Sequence, residues 1–152
     1  MLKYTPKQAR ALAGLTAETL RYWRHRLKPI RSCRGHGPVF TFGDVVALRV
    51  IERLVRVFGL HIGSIEPVAE SLFEQCNRRN WLRADNQFVI LDLLGKTIDI
   101  KASSIEAVLS GPSIVLPLRH LVEELNRQLT ADQRSHDQNV FSFDRLTEET
   151  FV

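Results

Sequence analysis

Apolar residues recur at helical spacing from the start of the chain. Ala9, Leu12 and Ala13 share one face behind Thr5-Pro6, where a threonine can cap a helix and a proline suits its first position. Gly14 fits a left-handed helix end, and after Leu15 a second capping residue, Thr16, opens another helix. That helix runs from Ala17 to about Leu27, with Leu20, Trp23 and Leu27 as its apolar side. Two short amphipathic helices joined across a tight glycine-containing turn are the pattern of a helix-turn-helix.

Lys28-Pro29 ends the second helix, and Ile30 to Phe40 reads as a loop or small β-hairpin. Asp44 then caps a predicted helix over Val45–Phe58, whose Val45, Leu48, Ile51, Leu54, Val55 and Phe58 keep a helical period until Gly59. Ser64 is expected to cap the next helix, with Ile65, Val68, Ala69, Leu72 and Cys76 on one side. The pattern then changes to strand formers. Gln87–Leu93 and Thr97–Lys101 flank Leu94-Gly95-Lys96 as a hairpin would. Ser103 or Ser104 can cap a short helix ending near Gly111, and a final helix is expected from Ser113 to Leu129, or from Pro117 onward. From Thr130 the chain is polar and reads as loosely held, with Val140–Phe143 as a short strand or docking segment. The expected architecture is mainly α: a winged helix-turn-helix over residues 1–83, a small α+β part over 84–130 and a polar tail over 131–152.

Charge sharpens this division. The net charge of the chain is +4, yet residues 1–63 carry a net of +9 and residues 64–152 a net of −5. A basic first part suggests a polyanionic partner for that part only. A helix-turn-helix sets its second helix in the major groove of DNA. Leu20, Trp23 and Leu27 as core leave Thr16, Ala17, Glu18, Arg21, Tyr22 and His25 for base edges and phosphates, with Arg24, Arg26 and Lys28 adding charge. Arginine can read guanine bidentately or clamp a phosphate, and a tyrosine hydroxyl can donate to a phosphate oxygen. In the wing, Arg31, Arg34 and His36 flank Gly35 and Gly37, a composition suited to close approach along the DNA backbone.

These residues carry a family resemblance. Tyr4-Thr5-Pro6, Ala9, Ala13-Gly14-Leu15-Thr16 and Thr19-Leu20-Arg21-Tyr22-Trp23, followed by Phe40–Leu54, Gly59-Leu60 and Ile65, resemble the DNA-binding domain of MerR-type bacterial transcription regulators. The resemblance covers about residues 3–75. It implies a winged helix-turn-helix acting as a dimer on a pseudo-palindromic site, with contacts from Arg21, Tyr22 and the wing. Two features depart from it. Gly37-Pro38-Val39-Phe40 stands where the family has an aromatic-Arg-x-aromatic run, so its wing arginine cannot be carried over. The family's long dimerising helix gives way to a hairpin and a shorter terminal helix.

In the second half, Ile114, Leu118, Leu121, Val122, Leu125 and Leu129 form the expected stripe of the final helix. It can complete a monomer's core, line a small-molecule pocket or, the favoured reading, pair two copies. Cys33 and Cys76 are too far apart in sequence for a zinc motif and fit a reduced cytoplasm, and no metal or other cofactor is expected. No secretory leader or bilayer-spanning run is evident, and no catalytic constellation emerges, so the chain reads as a cytoplasmic, nucleoid-associated DNA-binding protein rather than an enzyme. The alternatives are an excisionase-like architectural protein and a protein-interaction adaptor or antitoxin on the same scaffold. An effector ligand is left open.

Overall fold

The computed structural model describes residues 2–81, 86–102 and 111–149, with side chains to residue 135. It divides into two compact units, residues 1–122 and 123–152. The first begins with β1 (Lys3–Tyr4), α1 (Pro6–Ala13) and α2 (Ala17–Arg26), followed by a 3-10 turn over Lys28–Ile30 and a loop to residue 39. Then come β2 (Phe40–Thr41), α3 (Phe42–Arg56) and α4 (Ile62–Arg78). Three strands follow, β3 (Gln87–Asp92), β4 (Thr97–Ala102) and β5 (Ser113–Pro117), and α5 (Arg119–Glu149) closes the chain. The class is mainly α with small antiparallel sheets, as the sequence pattern implies.

Local chemistry fixes the helix-turn-helix. Thr5 and Gln8 form a reciprocal capping box at the start of α1, with Pro6 at its first position. Gly14 ends α1 in the left-handed region at φ 73°. A Cβ there would come within 2.5 Å of Nη1 of Arg49, which itself donates to the Ala13 carbonyl at 3.2 Å. Ala9, Leu12, Ala13, Leu20, Trp23 and Leu27 are buried against the apolar sides of α3 and α4, where Val45, Leu48, Ile51, Leu54, Ile65 and Leu72 also lie.

Several element boundaries differ from the sequence expectation. Thr41, not Asp44, caps α3; Asp44 is its third residue and closes the capping box by accepting from the Thr41 amide at 3.0 Å. Asn77 of α4 reinforces this end, donating to Asp44 at 2.8 Å and accepting from the Thr41 hydroxyl. α4 starts at Ile62, before the expected Ser64 cap, and carries Pro67 within it. β1 and β2 pair antiparallel, Tyr4 opposite Phe40.

The second sheet has the order β4-β3-β5, antiparallel throughout, with Val89 opposite both Ile100 and Leu116. The expected hairpin is therefore present. The short helix expected after Ser103 lies outside the described residues. The outer edge of β4 is covered by α4: the Gln75 amide donates to the Ile98 carbonyl and accepts from the Ile100 amide, both at 2.9 Å. Arg79 adds a bond to the Ile100 carbonyl at 2.6 Å. A side-chain amide thus satisfies backbone groups that a further strand would otherwise claim.

The expected helix from Ser113 is corrected. Ser113–Pro117 is a strand in register with β3, and Ile114, with its β-branched neighbour Val115, pairs there opposite Leu91. The helix begins only after Leu118, and it continues through Glu149 rather than ending at Leu129. No Gly or Pro interrupts the sequence from Leu118 onward, so nothing local stops it. Its 31 residues give a length of about 46 Å. Of the stripe proposed for pairing, Leu118, Leu121 and Val122 are buried in the first unit; in the second, Leu125 is buried and Leu129 half-buried.

Candidate nucleic-acid interface

The buried side of α2 decides which residues face outward. With Leu20, Trp23 and Leu27 at 4% exposure or less, Ala17, Glu18, Arg21, Tyr22 and His25 are exposed. Thr16 is exposed too; its hydroxyl accepts from the Thr19 amide at 3.1 Å and caps the helix. Glu18 in the first turn suits the positive end of the helix dipole. Half of the Tyr22 side chain is open to solvent, placing a planar, hydrogen-bonding ring at the centre of this face.

The arginines divide by position. At about 100° per residue, Arg24 and Arg26 stand on the two flanks of the buried side, while Glu18, Arg21, Tyr22 and His25 lie opposite it. Arg24 is half-buried and donates through Nη1 to the Cys33 carbonyl at 3.0 Å, tying α2 to the base of the wing loop. Arg26 pairs through Nε with Glu66 of α4, and its guanidinium lies 5.9 Å from the centre of the Tyr22 ring. Glu66, by hydrogen bond and charge, pushes the Arg26 pKa further up. The expected single set of Arg21, Tyr22, Arg24 and Arg26 is therefore split: Arg24 turns inward, Arg26 is exposed but paired, and Arg21 and Tyr22 face solvent.

The wing is a loop over residues 31–39, with no strand pairing inside it. Both ends are pinned. Ile30 and Cys33 are buried, and the Cys33 amide donates to the Ile30 carbonyl at 3.0 Å. At the other end the Val39 amide donates to the Tyr4 carbonyl at 3.0 Å. Between them Arg31, Arg34, Gly35 and His36 are exposed, and Gly35 has φ 89° with open space around it. Arg34 bonds the Arg31 carbonyl at 3.3 Å, and Lys28 is exposed on the preceding 3-10 turn. Burial pushes the Cys33 thiol up, with Asp44 adding to the shift, so this cysteine serves as an apolar anchor rather than a nucleophile.

Not all of the basic charge belongs to this face. Arg49, Arg53 and Arg56 of α3 surround the buried Glu52 at 3.6, 3.9 and 2.5 Å. Glu52 engages three arginines, so that cluster keeps a surplus of positive charge on α3; Arg21, Lys28, Arg31 and Arg34 are exposed on α2, the 3-10 turn and the wing, and Lys3 and Lys7 on β1 and α1.

Residues 4–72, a little under half of the 152-residue chain, match the family model described as MerR HTH family regulatory protein. Over these residues the chain is similar to MerR-family helix-turn-helix domains. The MerR-family match takes in α1, α2, the wing loop, α3 and most of α4, and it supports a DNA-binding regulator. Regulators of this family are generally not enzymes. No curated protein and no solved structure matches the chain. Among the described residues, no three His, Cys, Asp or Glu side chains gather as a metal site would require, and no helix is long and apolar enough to cross a membrane.

Of the residues around this face, sequence reasoning missed Glu66 and named Arg24 without its inward role. Glu66 gives no local signal, since its partner Arg26 lies forty positions away. Arg24 was legible as a basic residue, but its inward bond to Cys33 depends on where the wing loop returns.

Proposed function

We propose that the chain is a sequence-specific transcriptional regulator that binds a pseudo-palindromic duplex site as a homodimer. In this reading α2 enters the major groove, where Thr16, Ala17, Glu18, Arg21, Tyr22 and His25 meet base edges and phosphates. Lys28 and the wing residues Arg31, Arg34, Gly35 and His36 follow the adjacent backbone. The observation that carries it is the exposed Arg21-Tyr22-His25 face standing beside the exposed basic loop, the two held together by the Arg24–Cys33 bond.

The homodimer is supported by the length of α5. MerR-type regulators pair through a long helix, and α5, at 31 residues, has that length although it follows a sheet rather than the DNA-binding part directly. Because Leu118, Leu121 and Val122 are buried within one copy, pairing would fall to the part of the helix beyond them.

Selection of bound duplexes from a random pool, followed by footprinting, tests the reading. The expected result is a two-fold related pair of half-sites one or two helical turns apart, with a dimer in sedimentation. Arg21→Ala should weaken the selected site by about tenfold or more, in line with loss of a bidentate base or phosphate contact. A single asymmetric site bound by a monomer would replace the regulator with an architectural protein. Selection without enrichment, or Arg21→Ala and Tyr22→Phe without effect, would remove α2 as the recognition helix.

A further inference from the structure

Arg26 is cationic, partly exposed and next to Tyr22, yet the structure gives it a partner before any DNA arrives. Its Nε is paired with Glu66, at 43% and 34% side-chain exposure, and its guanidinium sits near the Tyr22 ring. The first turn of α4 leaves room for it: a methyl group on Gly63 would stand 3.4 Å from Arg26 Nη2. The guanidinium is thus held between an aromatic face on its own helix and a carboxylate on another.

We propose that Glu66 is a selectivity-setting residue that withholds Arg26 from the phosphate backbone, so that Arg26 braces Tyr22 instead of adding to non-specific DNA affinity. The proposal rests on the reading of α2 as the recognition helix. Non-specific binding is governed by the number of phosphates neutralised, each releasing counterions and adding about 0.9 to the log–log salt slope. A guanidinium already neutralised by a carboxylate releases none. Removing the carboxylate's charge while keeping its shape returns one cation to the binding face. At about 0.15 M salt, one additional released counterion corresponds to about fivefold tighter binding to any duplex. That gain would fall equally on wrong and right sequences, and it would keep the protein longer on wrong ones.

The test measures binding of the full chain to a random-sequence duplex and to its selected site by fluorescence anisotropy, across a range of potassium chloride concentrations. Glu66→Gln should steepen the salt slope by about 0.9 on both duplexes and tighten the random duplex about fivefold near 0.15 M salt. Arg26→Ala alone should shift the slope by less than half as much. In the double variant the steepening caused by Glu66→Gln should disappear, because the released cation is gone. An unchanged slope in Glu66→Gln overturns the proposal. Steepening that persists in the double variant does so too, since it would then reflect only the loss of a negative charge near DNA. Arg21→Ala separates the two levels: if it weakens the selected site while Glu66→Gln changes nothing, only the role of Glu66 fails. If Arg21→Ala is also silent, the placement of α2 fails. The pair is half-exposed, a setting in which ion pairs contribute about 0–1 kcal/mol, so each variant should keep its fold, as a thermal melt of each would verify.

Discussion

Gly43 offers a direct test of the packing of α3 against α4, on which the helix-turn-helix rests. It is the second residue of α3 and is buried where the start of α3 passes the end of α4. A Cβ built on it would lie 2.5 Å from Asn77 Oδ1 and 2.8 Å from Asn77 Cα. The first atom could swing away, but only by giving up the bonds Asn77 makes with Thr41, Asp44 and the Phe73 carbonyl. The second is backbone in the last turn of α4 and can move only if that end of the helix moves. Two effects then compete in Gly43→Ala. Replacing glycine by alanine in a helix favours folding by about 0.5–1 kcal/mol. Overpacking a close crossing costs about 1–3 kcal/mol, and loss of the part-buried bond to the Phe73 carbonyl adds up to about 1 kcal/mol. The net expectation is a loss of about 2 kcal/mol, which for a chain of this size lowers the melting temperature by about 4–8 °C. Thermal unfolding followed by circular dichroism reads this directly. Gly37→Ala is the matched control, since a Cβ there meets nothing within 4 Å, and it should melt within about 2 °C of the parent. If Gly43→Ala melts at or above the parent temperature, the helices separate at low cost and the crossing does not depend on the missing side chain.

Two further outcomes follow from groups away from the DNA face. Gln75→Ala removes both bonds to the outer edge of β4, so a loss of about 1–3 kcal/mol is expected in urea unfolding, with a greater tendency to associate through the freed edge. A change within about 0.3 kcal/mol would mean that water satisfies the edge equally well. Burial pushes the Cys76 thiol up to about 12 and raises that of Cys33, so alkylation of the native chain should be slow at pH 8 and still accelerating at pH 10. The sign for stability follows from the same shifts: both thiols are favoured neutral in the fold. Their contribution is therefore intact below the unfolded thiol pKa of about 8.5 and declines as pH rises from there toward 12. Native labelling as fast as in denaturant would refute the burial of both groups.

The helix-turn-helix was legible because its signals are local. Thr5, Pro6, Gly14 and Thr16 each act within one turn of their own position, and the apolar side of α2 needs only a period to be read. Where the reading failed, the deciding interaction was distant. Thr41 and not Asp44 caps α3 because β2 delivers an extended Thr41, and that strand exists only by pairing with β1. Ile114 was assigned to a helix because Ile114, Leu118 and Leu121 keep a helical spacing. Its strand conformation comes from pairing with Leu91, twenty-three positions earlier. The split among the arginines is intermediate: helical geometry places Arg24 and Arg26 on the flanks, but only the folded chain shows what each flank meets.

These distant interactions converge on α4. On one side Glu66 holds Arg26 of α2; toward the far end Asn77 braces the start of α3, and Gln75 and Arg79 complete the edge of β4. Glu66 and Gln75 are nine residues apart, about 14 Å along the helix axis. A single helix therefore contacts both the flank of α2 and the margin of the sheet. It follows that substitutions on α4 cannot be interpreted through stability alone. Glu66 is half-exposed and, in the proposed role, acts through the charge of Arg26, so its removal should appear in salt dependence with little change in melting. Gln75 sits against backbone at a sheet edge, so its removal should appear in stability with little change in salt dependence. Obtaining both patterns from one helix would establish that the two sides of α4 do separate work, and a shared pattern would mean that the helix moves as a whole when either side is disturbed.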